Sequence, residues 1–138
     1  MYFDFFTFGV GAQYFLVAFA VAGVLALIFK VLYQWVTPYK ETDLIRQGNV
    51  AAAVALGGAL IGYVLALASA LTHTTSLPEL LAWGALAGVI QIVAFTIVRV
   101  IFLKDVKARI EAGEMATAVY LASINIAVGL INAASMTS

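Results

Sequence analysis

The sequence contains no cysteine in 138 residues, which excludes a disulfide framework, a thiolate metal site and a cysteine nucleophile. Histidine occurs once, as His73 in the segment HTTSLPE. A single imidazole with no second His and no Cys is a poor metal ligand set, so His73 is read as a loop residue. Proline is confined to Pro38 and Pro78, and charged residues make up only 10% of the chain against 64% hydrophobic ones, far outside the range of water-soluble domains. The carboxylates Glu41, Asp43 and Asp105 accompany no nucleophile or metal constellation, and they are expected to be solvated charge at the membrane interface. No catalytic, cofactor-binding or metal site is expected, and the chain is not read as an enzyme.

What the sequence has in abundance is apolar run length. Crossing a hydrocarbon core of about 30 Å takes roughly 20 apolar residues in a helix. Four stretches qualify, near 13–34, 49–72, 80–103 and 115–134. They define an all-α membrane protein of four transmembrane helices in a single transmembrane domain over 1–138. The N-terminus lacks Lys or Arg before Lys30 and so has no basic region of a signal peptide; the first stretch is read as a retained helix.

Net charge is zero, but its distribution is one-sided. Lys30, Lys40 and Arg46 flank the first connection, and Arg99, Lys104, Lys107 and Arg109 flank the third, while the second connection and both termini have no basic residue. The positive-inside rule makes the first and third connections cytoplasmic and puts both termini on the periplasmic side. Aromatics cluster at both ends of the first helix, in Tyr2, Phe3, Phe5, Phe6 and Phe8 and again in Tyr33, Trp35 and Tyr39, as interfacial rings do. Pro38 marks the helix exit, and Gly48 with Asn49 the start of the next helix.

Lipid supplies little hydrophobic force between helices, so small residues that let backbones approach are a common route to packing. Gly58 and Gly62 on the second helix, and Gly84 and Gly88 on the third, have the required four-residue spacing. They serve either packing, within the bundle or between subunits, or close approach to a ligand or pore.

Sliding the chain by 65 positions aligns Ile45 with Ile110, Gly48 with Gly113, Ala51 with Ala116 and Val54 with Val119. The chain reads as two parallel repeats of a helical hairpin, one over about 13–73 and the other over about 78–138, related by an axis along the membrane normal. The copies differ in polarity. Leu60 and Leu67 correspond to Asn125 and Asn132, while Ala26 and Gln34 correspond to Gln91 and Arg99. Gln91 and Asn125 are expected at similar depth near the bilayer centre, close enough to hydrogen-bond. Such amides either fasten helices, at about 1 kcal/mol or less each, or line a solute or ion path. Arg99 is expected to snorkel to the headgroups. With no Asp, Glu or Lys expected on the intramembrane faces, a proton-coupled pump would lack its usual titrating group.

The segments TPYKETDLIRQGNVAAAVALGGALIGY, LAWGALAGVIQIVAFTIVRV and INAASMT resemble the YjfL family of bacterial inner-membrane proteins, whose members are classed as of unknown function. The resemblance covers all but about the first dozen residues; the ending SMTS departs from a bulkier aromatic ending in relatives. It implies a multi-pass protein of the bacterial inner membrane, in a stress or polyamine-linked system, and supplies no catalytic residue. The leading expectation is a homo-oligomeric interaction or scaffold module, embedded in the lipid bilayer, whose basic loops meet headgroups or a peripheral cytoplasmic protein; no nucleic-acid partner is expected. The rival is a small channel or transporter subunit for an ion or polar solute, with Gln91, Asn125 and Asn132 facing its path. Reporter fusions check the orientation: periplasm-active reporters should be active at both termini, and a cytoplasmic C-terminus overturns the charge argument.

Overall fold

The computed structural model describes residues 3–102 and 104–136, without the side chain of Phe102. The elements, in order, are α1 (Phe5–Val36), α2 (Glu41–Arg46), α3 (Val50–His73), α4 (Leu77–Ile97) continued by a π-helical turn (Val98–Phe102), α5 (Val106–Glu111) and α6 (Met115–Ser135). Four helices are long and apolar enough to span a membrane, and among the described residues no strand is found.

Local chemistry sets the helix ends. The Asp4 carboxylate accepts from the Phe6 N–H at 3.0 Å and from the Thr7 hydroxyl at 2.7 Å, so α1 begins eight residues before the expected start at 13. Phe5, Phe6 and Phe8 of the aromatic cluster are therefore helical, Phe3 precedes the helix, and Tyr2 lies outside the described residues. Asn49 Oδ1 caps α3 by accepting from the Ala52 N–H at 3.1 Å, and Ser76 with Pro78 opens α4. The charged segment after Pro38 forms the short helix α2. Both α2 and α5 leave through a glycine in the left-handed region, Gly48 at φ 86° and Gly113 at φ 78°, a geometry that residues with a Cβ adopt at a cost.

The bundle is built around α3. Of its most apolar window 56% is buried, against 6% for α1. Its buried residues recur every three or four positions, from Ala51, Ala52, Ala55 and Leu56 through Gly58, Ala59, Gly62 and Tyr63 to Ala66, Leu67 and Ala70. Most of this face meets α6, which runs in the same direction. A Cβ at Gly58 would overlap the backbone of Ala122, one at Gly62 the backbone of Asn125, and one at Gly129 the backbone of Gly62. Backbones this close gain dispersion contacts that lipid cannot match. Side chains fasten both ends of α3: Asn49 Nδ2 donates to Ile110 O of α5 at 2.8 Å, and the Ser69 hydroxyl donates to Ala133 O of α6 at 2.8 Å.

The second half of α1 seats on this pair and on α4 through aromatic rings. Phe29 stacks on Tyr63 with centroids 4.4 Å apart, and Tyr33 packs on Phe95 at 4.7 Å. The Tyr63 hydroxyl donates to Gly84 O at 3.0 Å, and Gly84 and Gly88 leave room for the Tyr63 ring and for Leu25 and Phe29. The first half of α1 is apolar and exposed. Gly62→Ala or Gly129→Ala should lower stability by about 1–3 kcal/mol or more, because the overlap is with backbone. Gly57→Ala, where a Cβ would meet nothing within 4 Å, should be neutral or slightly stabilising; denaturant unfolding in mild detergent compares the three.

Candidate functional site

The polar residues of the second half of the chain lie along one seam between α4 and α6. Gln91, 1% exposed, donates from Nε2 to Asn125 O at 3.2 Å, so it bonds the backbone of that residue and not its amide. Its Oε1 is buried with no hydrogen-bond partner. Asn132 donates from Nδ2 to Ala87 O at 3.1 Å, one helical turn before Gln91 on α4. Gln91, Asn125 and Asn132 are thus brought together in the interior. Gly62 and Gly129 close around Asn125, and Gly58 packs beside them; Gly84 and Gly88 face α1 and Tyr63 instead.

Arg99 does not simply reach out to headgroups. It is half-buried in the π-helical turn, and its Nε is fully buried without a partner. A π turn widens the helix and is often found where a side chain must be aimed at a functional site. Here the side chain lies near the Tyr39 hydroxyl.

The main departure from expectation is Glu41. As the first residue of α2 it is 2% exposed, not solvated, and neither carboxyl oxygen has a hydrogen-bond partner within 3.5 Å, although the Thr37 and Gln34 side chains lie near it. The chain reversal at Pro38 places it there. The Thr37 hydroxyl donates to Gln34 O at 3.0 Å and to Tyr39 O at 3.3 Å, tightening the turn, and Gln34 Nε2 donates to the Thr42 hydroxyl at 3.1 Å, tying α2 to the end of α1. The carboxyl thus points back toward Tyr33, Tyr39 and Lys30. Lys30, grouped with a connection by its charge, lies inside α1 and is half-buried. Lys30 brings a titratable group into a span, contrary to the expectation that the intramembrane faces lack one, and Glu41 packs at the end of the bundle bearing α2 and α5.

The Tyr33 and Tyr39 hydroxyls are also buried, with no partner within 3.5 Å. The Tyr33 hydroxyl approaches both Tyr39 and the Asn125 side chain, so the polar groups run from Glu41 through the two tyrosines to Asn125 and Gln91. Burial pushes the Glu41 carboxyl up to about 7, although Thr37, Gln34 and Lys30 pull in the opposite direction. Burial and the neighbouring Glu41 push the Tyr39 phenol well above its ordinary value. A groove of about 490 Å³, lined by Gln34, Thr37, Tyr39, Glu41, Thr42 and Asp43, opens beside this cluster. A second, of about 470 Å³, lies between Tyr39, Lys40 and Asp43 on one side and Lys107 and Glu111 on the other. Among the described residues no three of His, Cys, Asp and Glu come together as a metal site would require.

Sequence reasoning missed Glu41, Tyr33, Tyr39, Lys30 and the tight contact at Gly129. The available signal was position: Tyr39 and Glu41 lie in the polar segment TPYKETDLIRQGN, and polar residues in a connection are candidates for function.

Four apolar spans around a seam of buried amides, hydroxyls and one carboxyl define a polytopic α-helical membrane protein with a polar interior. The chain belongs to the family described as Domain of Unknown Function (DUF350), which matches residues 6–136. It is 35% identical over 119 residues to the UPF0719 inner membrane protein YjfL of Escherichia coli K12, covering 86% of this chain and 89% of that protein, and equally similar to YjfL of strain O157:H7. It is 28% identical over 79 residues to the UPF0719 transmembrane protein YshE of Bacillus subtilis strain 168, covering 57% of this chain and 59% of that protein. No solved structure matches the chain.

A carboxyl whose folded value is raised binds more protons when folded than when unfolded. Stability from Glu41 is therefore fullest below the ordinary value of 4.5, falls as pH rises toward about 7, and is flat above. Glu41→Gln should remove this slope and gain on the order of 2 kcal/mol over the parent above the window, after allowance for screening. Unfolding at a series of pH values, parent against variant, measures it.

Proposed function

We propose that this protein is a transport-type component of the bacterial inner membrane, whose interior takes a small ion or polar solute, and that its role is not enzymatic. One observation carries this reading: six buried polar atoms, on Tyr33, Tyr39, Glu41, Gln91 and Arg99, have no hydrogen-bond partner within 3.5 Å, and these residues follow one another from Glu41 and Arg99 through Tyr39 and Tyr33 to Asn125 and Gln91. An interior built only to fasten helices would pair such atoms, since an unsatisfied buried group costs about 1–3 kcal/mol. A site that receives a polar species supplies the missing partner. The tight contact of Gly62 with Asn125 and Gly129 closes the middle of the bundle, so passage requires the helices around the seam to part.

The orientation belongs to the same proposal: the end bearing α2 and α5 faces the cytoplasm, with both termini outside, on the strength of the basic residues near it. We also read the chain as a duplicated hairpin. In support, α2 and α5 begin 65 residues apart, as do α3 and α6, and Gly48 and Gly113 share one backbone geometry. The scaffold reading survives in a narrower form. Gly58 and Gly62 are occupied within the subunit, so self-association would use the exposed face of α1, where Gly9, Gly11 and Gly23 face open space. A stress- or polyamine-linked setting draws no support from the geometry.

Flux in proteoliposomes tests the reading. Movement of a small ion or solute should exceed that in protein-free vesicles and fall by at least about tenfold in Gln91→Leu or Asn125→Leu, each checked for intact folding, if the loss of one polar partner raises the barrier by about 1.4 kcal/mol. Absence of flux for the parent across monovalent ions, protons and small polar solutes would overturn it.

A further inference from the structure

We propose that Glu41 is a proton-binding site, loaded from the groove at the end bearing α2 and α5, and that the proton is the species the polar interior handles. This rests on the transport reading above. The geometry that points to it is a carboxyl 2% exposed with both oxygens unpartnered, set beside two buried tyrosine hydroxyls that also lack partners. Each state of the carboxyl finds a complement there. As a carboxylate it accepts from a tyrosine O–H; as a carboxylic acid it donates its own O–H to a tyrosine oxygen, whose hydrogen is then free to turn toward the next acceptor. The reaction is one proton joining one carboxylate oxygen, with nothing oxidised or reduced. Further in, the Tyr33 hydroxyl lies near the Asn125 side chain, and the unpartnered Gln91 Oε1 lies at the next step.

The charges around Glu41 favour a proton over a metal ion. Lys30 of α1 faces the carboxyl, as do the hydroxyls of Tyr33, also of α1, and of Tyr39 in the connection. Arg99, on the π-helical turn, faces Tyr39. Lys40 and Asp43 line the adjoining grooves beside α2, with Lys107 and Glu111 of α5 across the second of them. The Lys30 ammonium beside a single carboxylate repels a metal cation, and the described residues gather no group of three acidic or imidazole ligands. A proton needs no coordination shell. It removes the charge that is costly to bury, while Lys30 keeps the deprotonated state within reach. The raised value of the carboxyl, about 7, agrees with this arrangement.

The test uses the full chain in liposomes. Infrared difference spectra across a pH titration should show the carbonyl stretch of a buried protonated carboxylic acid, with a midpoint near 7, and Glu41→Gln should abolish it. Tyr39→Phe and Tyr33→Phe keep the ring packing while removing the hydroxyls, and should raise the midpoint because no tyrosine O–H can then turn to the carboxylate. Proton flux, read by an entrapped pH dye, should fall at least tenfold in Glu41→Gln. A spectrum unchanged by Glu41→Gln overturns the proton site, whatever the flux. Flux of another ion or solute that persists in Glu41→Gln overturns the proton as the species handled and leaves the transport reading standing. A Glu41 titration in a protein that moves nothing supports the proton site and sinks the transport reading.

Discussion

The backbone contact between α3 and α6 is the constraint on which the rest of the structure depends. Gly58, Gly62 and Gly129 let two parallel helices approach until a methyl group on any of them would overlap the opposite backbone. In water, burial of Leu and Ile side chains would hold such a pair together. In lipid that force is nearly absent, and contact area between small residues replaces it. The consequence is positional. With α3 and α6 locked, α4 and the second half of α1 have only the remaining sides on which to pack, and the seam that receives Gln91, Asn125 and Asn132 is defined before any polar group enters it.

The inner end of the bundle follows a different logic. There the chain reverses at Pro38 and a charged residue is folded under the end of α1. A buried carboxylate, two phenols and a guanidinium nitrogen without partners would be a poor way to stabilise a bundle. Their cluster adjoins grooves of about 490 Å³ and 470 Å³ that open at the same end, so the least satisfied groups in the protein are also those closest to a route inward. Local instability of this kind is common where a protein binds or moves something.

The sequence made the spans legible because run length and composition alone decide them: 24 residues of α3 with a mean hydropathy of 2.3 in their best window admit few other readings. The interior amides and the small residues of α3 were legible from helical spacing. What was not legible has one cause. Glu41, Tyr39 and Lys30 meet only because a turn stabilised by the Thr37 and Gln34 hydrogen bonds reverses the chain, and no local pattern encodes where a reversed segment lands. The start of α1 was misplaced for a smaller reason: an aromatic run suits an interface as well as a helix, and the deciding group was the single carboxylate of Asp4. Gly129 had no glycine four residues away on its own helix; its partner is on α3.

The Asn49 side chain serves both halves of the molecule at once. Its oxygen holds the first turn of α3, and its nitrogen holds the end of α5. If α5 swings away, the carboxamide loses the Ile110 acceptor while still capping α3, so the seating of α5 and the first turn of the central helix are coupled through one side chain.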